Sequence, residues 1–102
     1  VTGGGLSNLL RLHDSLGWHI DSPMPVLPEF DWIQATGGIS DREMARTFNL
    51  GMGMVLVVDA AHADAVCEWV ASRLEGTQMV GEVRDQGHKV THANPGIVFE
   101  HY

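Results

Sequence analysis

The sequence predicts an α+β fold in which helices pack on a mixed β-sheet. Three observations predict it. Segments with apolar residues at helical spacing are interspersed with short β-branched runs, and glycine and proline clusters separate the two kinds of segment. One strongly striped helix pattern follows directly on the most apolar run. With 102 residues the chain reads as one domain, residues 1–102, sized for a single hydrophobic core. Apolar residues make up 44% of it and charged residues 19%, a balance that excludes a disordered or fibrous chain.

The elements follow in order. After Gly3-Gly4-Gly5, the residues Leu6, Leu9, Leu10 and Leu16 recur at helical spacing and predict a helix from about Leu6 to Ser15, with Ser7 and Asn8 placed to satisfy free amides in its first turn. Gly17 stops it, and Trp18 to Asp21 is a short strand. Ser22-Pro23-Met24-Pro25 is an extended connection, because its prolines permit little else. Pro28 suits the first position of a second helix with Phe30 and Ile33 on its apolar face, closed by Gly37-Gly38. A third helix opens on the capping box Ser40 and Glu43, with Ile39 and Met44 at staple positions, and runs to about Thr47.

Met54 to Val58 is a continuous apolar, largely β-branched run between Gly53 and Asp59, and it reads as a buried strand in the middle of the sheet. Asp59 then caps a helix whose stripe is Ala63, Val66, Cys67, Val70 and Leu74, closed by Gly76. Two further strands, Gln78 to Val83 and Lys89 to Ala93, flank the turn Asp85-Gln86-Gly87, and Ile97 to Phe99 adds an edge after Asn94-Pro95-Gly96. No internal repeat or linker interrupts the series.

Charge and composition exclude several classes of function. The formal net charge is -7 and the few Lys and Arg residues are scattered, so no basic stripe exists for nucleic acid. No apolar run approaches the roughly 20 residues that cross a bilayer, and the amino terminus lacks the layout of a signal peptide, so no membrane partner is expected. The single cysteine, Cys67, lies on a helical stripe and points to a reducing compartment, with the cytoplasm as the default. Val1 is not an initiator Met and opens on a glycine run, which reads as a cut amino terminus.

Two segments are candidates for chemistry. Thr2-Gly3-Gly4-Gly5 leads into a helix, and residues without Cβ let a backbone approach a ligand while its N–H groups face an anion. Glycine triplets also serve plain turns, and neither a phosphate-loop nor a dinucleotide pattern follows. Arg46-Thr47-Phe48-Asn49-Leu50-Gly51-Met52-Gly53-Met54 joins a helix end to the apolar run, and Arg46 could grip an anion in bidentate fashion. A cation at a helix C-terminus and a glycine turn explain the same residues without a ligand. His88 and His92 share a strand face, but no Cys or carboxylate completes a ligand set, so no metal site is expected. His13, His19 and His62 read as surface residues.

Taken together these segments resemble the carboxy-terminal domain of aminoimidazole ribonucleotide synthetases, the phosphoribosylformylglycinamidine cyclo-ligases of purine biosynthesis. The resemblance covers nearly the whole chain. It rests on Val1-Thr2-Gly3-Gly4-Gly5-Leu6 followed by Asn8, on Ile20-Asp21, on Glu43-Met44, on Val80-Gly81-Glu82-Val83, and above all on Arg46-Thr47-Phe48-Asn49 with Gly51, Gly53 and Met54.

The resemblance implies an ATP-dependent, Mg²⁺-requiring ring closure of formylglycinamidine ribonucleotide. It implies a homodimer built largely through an amino-terminal nucleotide-binding domain, which supplies the other wall of the site in cis or in trans. By carry-over, Thr2, Gly3, Gly4, Gly5 and Asn8 would line the substrate or phosphate region, and Arg46, Thr47, Asn49, Gly51 and Gly53 the opposing loop. No residue is assigned as acid or base. This chain alone is expected to hold neither ATP nor Mg²⁺ and to be inactive by itself. The rival reading is a non-catalytic module, derived from that domain, that binds ligand or self-associates.

Overall fold

The computed structural model describes residues 1–102, and its centre is the strand β1, Gly17–Ile20. Two short strands flank it, β2 (Glu82–Arg84) on one side and β3 (Val90–His92) on the other. The β2 pairing is antiparallel, with Trp18 opposite Val83, and the β3 pairing is parallel, with Trp18 opposite Val90. The sheet is therefore mixed and the fold is α+β, as the sequence predicts. Gly81 explains how the chain enters β2: a Cβ there would overlap the backbone of His19 and Ile20, so only glycine allows this approach. The expected edge at Ile97 to Phe99 reduces to one antiparallel bridge, in which Val90 and Phe99 exchange both backbone hydrogen bonds at 2.8 and 3.0 Å.

The first helix is 3₁₀ rather than α and spans Gly5–Arg11 instead of Leu6–Ser15. Gly4 and Gly5 enter it at positive φ, and at the far end the His13 ring nitrogen Nδ1 accepts the amides of Ser15 and Leu16, which fixes a turn where further helix was expected. Ser7 and Asn8 also act opposite to expectation, donating to carbonyls rather than capping amides. Ser7 Oγ donates to the Gly4 carbonyl at 2.6 Å, and Asn8 Nδ2 reaches the carbonyls of Thr2, Gly3 and Gly5.

Two helices form close to their sequence signals. Helix α1, Pro28–Gly37, starts with Pro28 in its first turn and ends on Gly38 at φ 62°. Helix α2, Asp41–Thr47, is capped by Ser40, whose Oγ accepts the Glu43 amide at 3.2 Å. Met44 and Ala45 on α2 are buried, and α2 lies directly against the 3₁₀ helix. Gly5 makes that approach possible, because a Cβ at this position would overlap the carbonyl oxygen of Ala45 and come within 2.7 Å of that of Phe48. The core gathers Leu6, Leu9 and Leu10 from the 3₁₀ helix, Trp18 and Ile20 from β1, Val90 from β3, and Ile97 and Phe99 from the segment that follows it. Among buried side-chain polar atoms only the indole N–H of Trp18 has no partner, and His88 stands edge-on to the same ring.

The largest correction concerns Met54 to Val58. This run is neither buried nor a strand: Met54 is 82% exposed, and β1, not this run, occupies the middle of the sheet. Apolar content signals that a strand will be covered somewhere; it does not specify by which element. The helix after it also departs from expectation. Asp59 caps, but it caps a 3₁₀ turn, Ala60–His62, that continues into helix α3, Ala63–Ala71, which ends before Gly76. No residue of α3 is fully buried, and only the expected stripe positions Ala63, Val66, Cys67 and Val70 are half-covered. His19, read as a surface residue, sits half-buried in β1 with its Nδ1 2.7 Å from Thr91 Oγ1.

Candidate functional site

The glycine-rich amino terminus and the loop after α2 meet in space. Val1, Thr2 and Gly3 form one wall of a shallow groove of about 170 Å³, Thr47, Phe48 and Asn49 form the other, and Phe30 of α1 completes it. Each wall is built by local chemistry. Phe48 ends α2 in extended conformation while its N–H still donates to the Met44 carbonyl at 2.8 Å. Asn49 then folds the chain over itself: its Oδ1 accepts the Gly51 amide at 2.9 Å and its carbonyl accepts the Met52 amide at 3.0 Å. Leu50, inside this turn, is the one non-glycine residue at positive φ, 54°, a conformation that branched side chains rarely adopt and that persists only where the surroundings impose it. The sequence offered no signal for that strain.

The opposite wall is held by asparagine amides. Asn49 Nδ2 donates to the Val1 carbonyl at 3.3 Å, which ties the two walls together, and Asn8 Nδ2 gathers three carbonyls of the glycine segment. With its carbonyls engaged, the segment keeps the Gly3 and Gly4 amides free of any hydrogen-bond partner in the chain, while the Gly5 amide is taken by the Thr2 carbonyl. The groove is lined by Thr, Asn, aromatic and backbone groups and by no carboxylate. Its polar side chains are thus neutral and able to donate, suited to phosphate or carbonyl oxygens, and they include none of the anionic oxygens that favour a divalent cation.

The remaining candidates fall around this groove in different roles. Asn8 and Gly4 shape the glycine turn, and Gly5 is buried beneath it. Gly51 takes the left-handed turn position at φ 99°, against the Pro25 carbonyl. Gly53 is exposed, and its carbonyl accepts the amino-terminal ammonium of Val1. Arg46 lies in the last turn of α2, half-buried and without an ion pair or hydrogen bond, and it does not line the groove.

A second and larger depression, of about 250 Å³, was not foreseen. It is lined by Asp41, Gln34, Asn94 and His92 above the apolar side chains of Leu6 and Met52, among others. Its polar groups are largely satisfied by one another: the two carboxylate oxygens of Asp41 accept from Gln34 Nε2 at 2.7 Å and Asn94 Nδ2 at 3.0 Å, and His92 Nδ1 accepts the Asn94 amide at 2.9 Å. Burial, and secondarily the charge of His19, hold the His92 imidazole below its ordinary pKa, which favours the neutral ring that makes this hydrogen bond. No Lys or Arg lines it, so it suits an anion poorly. His88, the other half of the expected histidine pair, is engaged elsewhere, 2.8 Å from the Leu10 carbonyl.

Residues 1–94 match the family model described as AIR synthase related protein, C-terminal domain. Among curated relatives, a phosphoribosylformylglycinamidine cyclo-ligase of Methanopyrus kandleri is 39% identical over 92 residues, covering 90% of this chain and 26% of that protein. Proteins of the same name from Bordetella petrii and Nitrosococcus oceani are 47% and 44% identical, covering 81% and 84% of this chain and 25% of each relative. The chain thus spans about a quarter of the length of these relatives.

Proposed function

The chain belongs to the family of AIR synthase related C-terminal domains, and from that premise we propose that it forms one wall of the site of an ATP-dependent cyclo-ligase in purine biosynthesis. In that reaction the formyl amide oxygen of formylglycinamidine ribonucleotide is phosphorylated by ATP, and an internal nitrogen then closes the imidazole ring with release of ADP and phosphate. The observation that carries the reading is the groove between Thr2-Gly3 and Thr47-Asn49, where the two most distinctive segments of the sequence adjoin.

In this reading the free Gly3 and Gly4 amides and the Thr2 and Thr47 hydroxyls contact phosphate or carbonyl oxygens of the substrate. Asn8 and Asn49 position those groups, and Arg46, with no partner in the chain, supplies the nearest unengaged guanidinium on α2. In this reading ATP and Mg²⁺ are held by the remainder of the family polypeptide, acting in cis or in trans in a cytoplasmic setting, and a groove lined without a carboxylate supports that division.

The test is complementation. The chain is mixed with the remaining three quarters of a relative's polypeptide, ATP, Mg²⁺ and formylglycinamidine ribonucleotide, and ring-closed product and ADP are measured. Turnover that needs both polypeptides, and that falls at least about tenfold with Asn49→Ala, is the expected result. Absence of turnover at saturating amounts of a partner polypeptide that folds, under conditions where the intact relative is active, would overturn the proposal.

A further inference from the structure

We infer that the larger depression, between α1, the start of α2 and the segment after β3, is a binding site for a small primary ammonium that carries an apolar body. The site shares only Asn49 with the groove, and the inference does not depend on the proposed reaction. Two carboxylates, Asp31 on α1 and Asp41 at the start of α2, line this space of about 250 Å³, and no Lys or Arg does. The Asp31 carboxylate has no hydrogen bond or ion pair within the chain, and Gln34 stands one turn further along α1. Gln34 spends both amide hydrogens on the Ile39 carbonyl and on Asp41, which leaves its own Oε1 as a free acceptor. Each Asp41 oxygen accepts one hydrogen bond and keeps a lone pair for a second.

The unused polar groups are therefore mainly acceptors, and two of the side chains that offer them are negatively charged. An ammonium brings three N–H donors and one positive charge, which matches Asp31, Asp41 and the Gln34 carbonyl together. A divalent metal is the other cation that carboxylates attract, but no three His, Cys, Asp or Glu side chains converge to hold one. His92 does not oppose the charge: burial favours its neutral ring, whose Nδ1 is occupied by the Asn94 amide. Beneath the polar rim lie the core side chains of Leu6, Ile20, Met44, Met52 and Ile97. A bare cation would leave that floor wet, so an apolar body attached to the ammonium is part of the match.

Titration calorimetry and backbone amide shifts, with phenethylammonium as the probe, test this on the 102-residue chain. Saturable one-to-one binding with a dissociation constant of about 1 mM or tighter is expected, with shifts centred on Asp31, Gln34, Asp41 and Asn94. Phenethyl alcohol, which lacks the charge, and methylammonium, which lacks the body, should each bind at least about tenfold more weakly. Asp31→Asn removes a carboxylate that the fold does not use and should weaken binding about threefold or more. Asp64→Asn, the same change of charge in the first turn of α3, should leave binding unchanged, and near-ultraviolet dichroism checks that both variants keep the fold. Equal effects of the two substitutions, equal binding of the alcohol or of methylammonium, shifts centred elsewhere, or no saturation below about 10 mM would each overturn the inference. So would displacement of the probe by the rest of a relative's polypeptide, which would assign the depression to that partner.

Discussion

Residues 54–74 are richer in apolar residues than residues 5–20, yet the two stretches meet opposite fates. In the first stretch Leu6, Leu9, Leu10, Trp18 and Ile20 are nearly inaccessible to solvent, and each is covered by α2, by β3 or by the Val90–Phe99 bridge. In the second, Met54, Leu56, Val57, Trp69 and Leu74 lie open although α3 is clearly amphipathic. The difference is not hydrophobicity. Burial needs a complementary surface with paired backbone, and the first stretch finds one within the chain while the second does not.

Substitutions of matched chemistry in the two regions measure that contrast. Phe99→Ala opens a cavity at a side chain with no exposed surface and is expected to cost about 3–5 kcal/mol, whereas Trp69→Ala should change stability by no more than about 0.5 kcal/mol; urea unfolding of the two variants compares them. Equal losses would mean that α3 is packed as tightly as the core.

Glycine substitutions make the same comparison on the backbone. Gly5→Ala drives a Cβ into the Ala45 carbonyl at an unfavourable φ and should cost about 3 kcal/mol, while Gly76→Ala, at φ 88° with open space around it, should cost about 1 kcal/mol. Thermal midpoints of the two proteins report the difference. Ser40→Ala removes the one side-chain cap of α2 and is expected to cost about 1 kcal/mol; no loss would mean that α2 is held by packing against the 3₁₀ helix alone.

The smallest effect is pH-linked. The His92 pKa is lowered in the folded chain, so between that value and the ordinary 6.5 the unfolded chain binds the proton more readily. His92 therefore favours folding above the ordinary value, and that contribution is lost as the pH falls through 6.5 toward the folded value. His92→Asn should flatten the acid limb of a stability–pH curve, and an unchanged limb would exclude His92 as its source.

Much of the fold was legible because its signals are local. Pro28 set the start of α1, Gly38 its end and Ser40 the start of α2, since capping is decided within one turn of the chain. The strand at Trp18 and the pair flanking the Asp85-Gln86-Gly87 turn were equally readable, although Gln78 to Val83 gives up most of its expected length. The candidate groove was legible as two separate segments. Their meeting was not, because Asn49 Nδ2 reaches the Val1 carbonyl across 48 residues and spacing carries no record of that distance. The Asp41–Asn94 pair, 53 residues apart, was hidden for the same reason.

The sequence by itself determined where helices start and stop, which side of each is apolar, the family to which the chain belongs and the residue types of the groove. Tertiary structure alone decided that β1 and not Met54–Val58 holds the middle of the sheet, that the first helix tightens to 3₁₀, and that Gly5 serves a close backbone contact. Periodicity and capping are short-range and written in neighbouring residues. Coverage is long-range: it depends on which surface arrives, and for Met54–Val58 none arrives from within the chain.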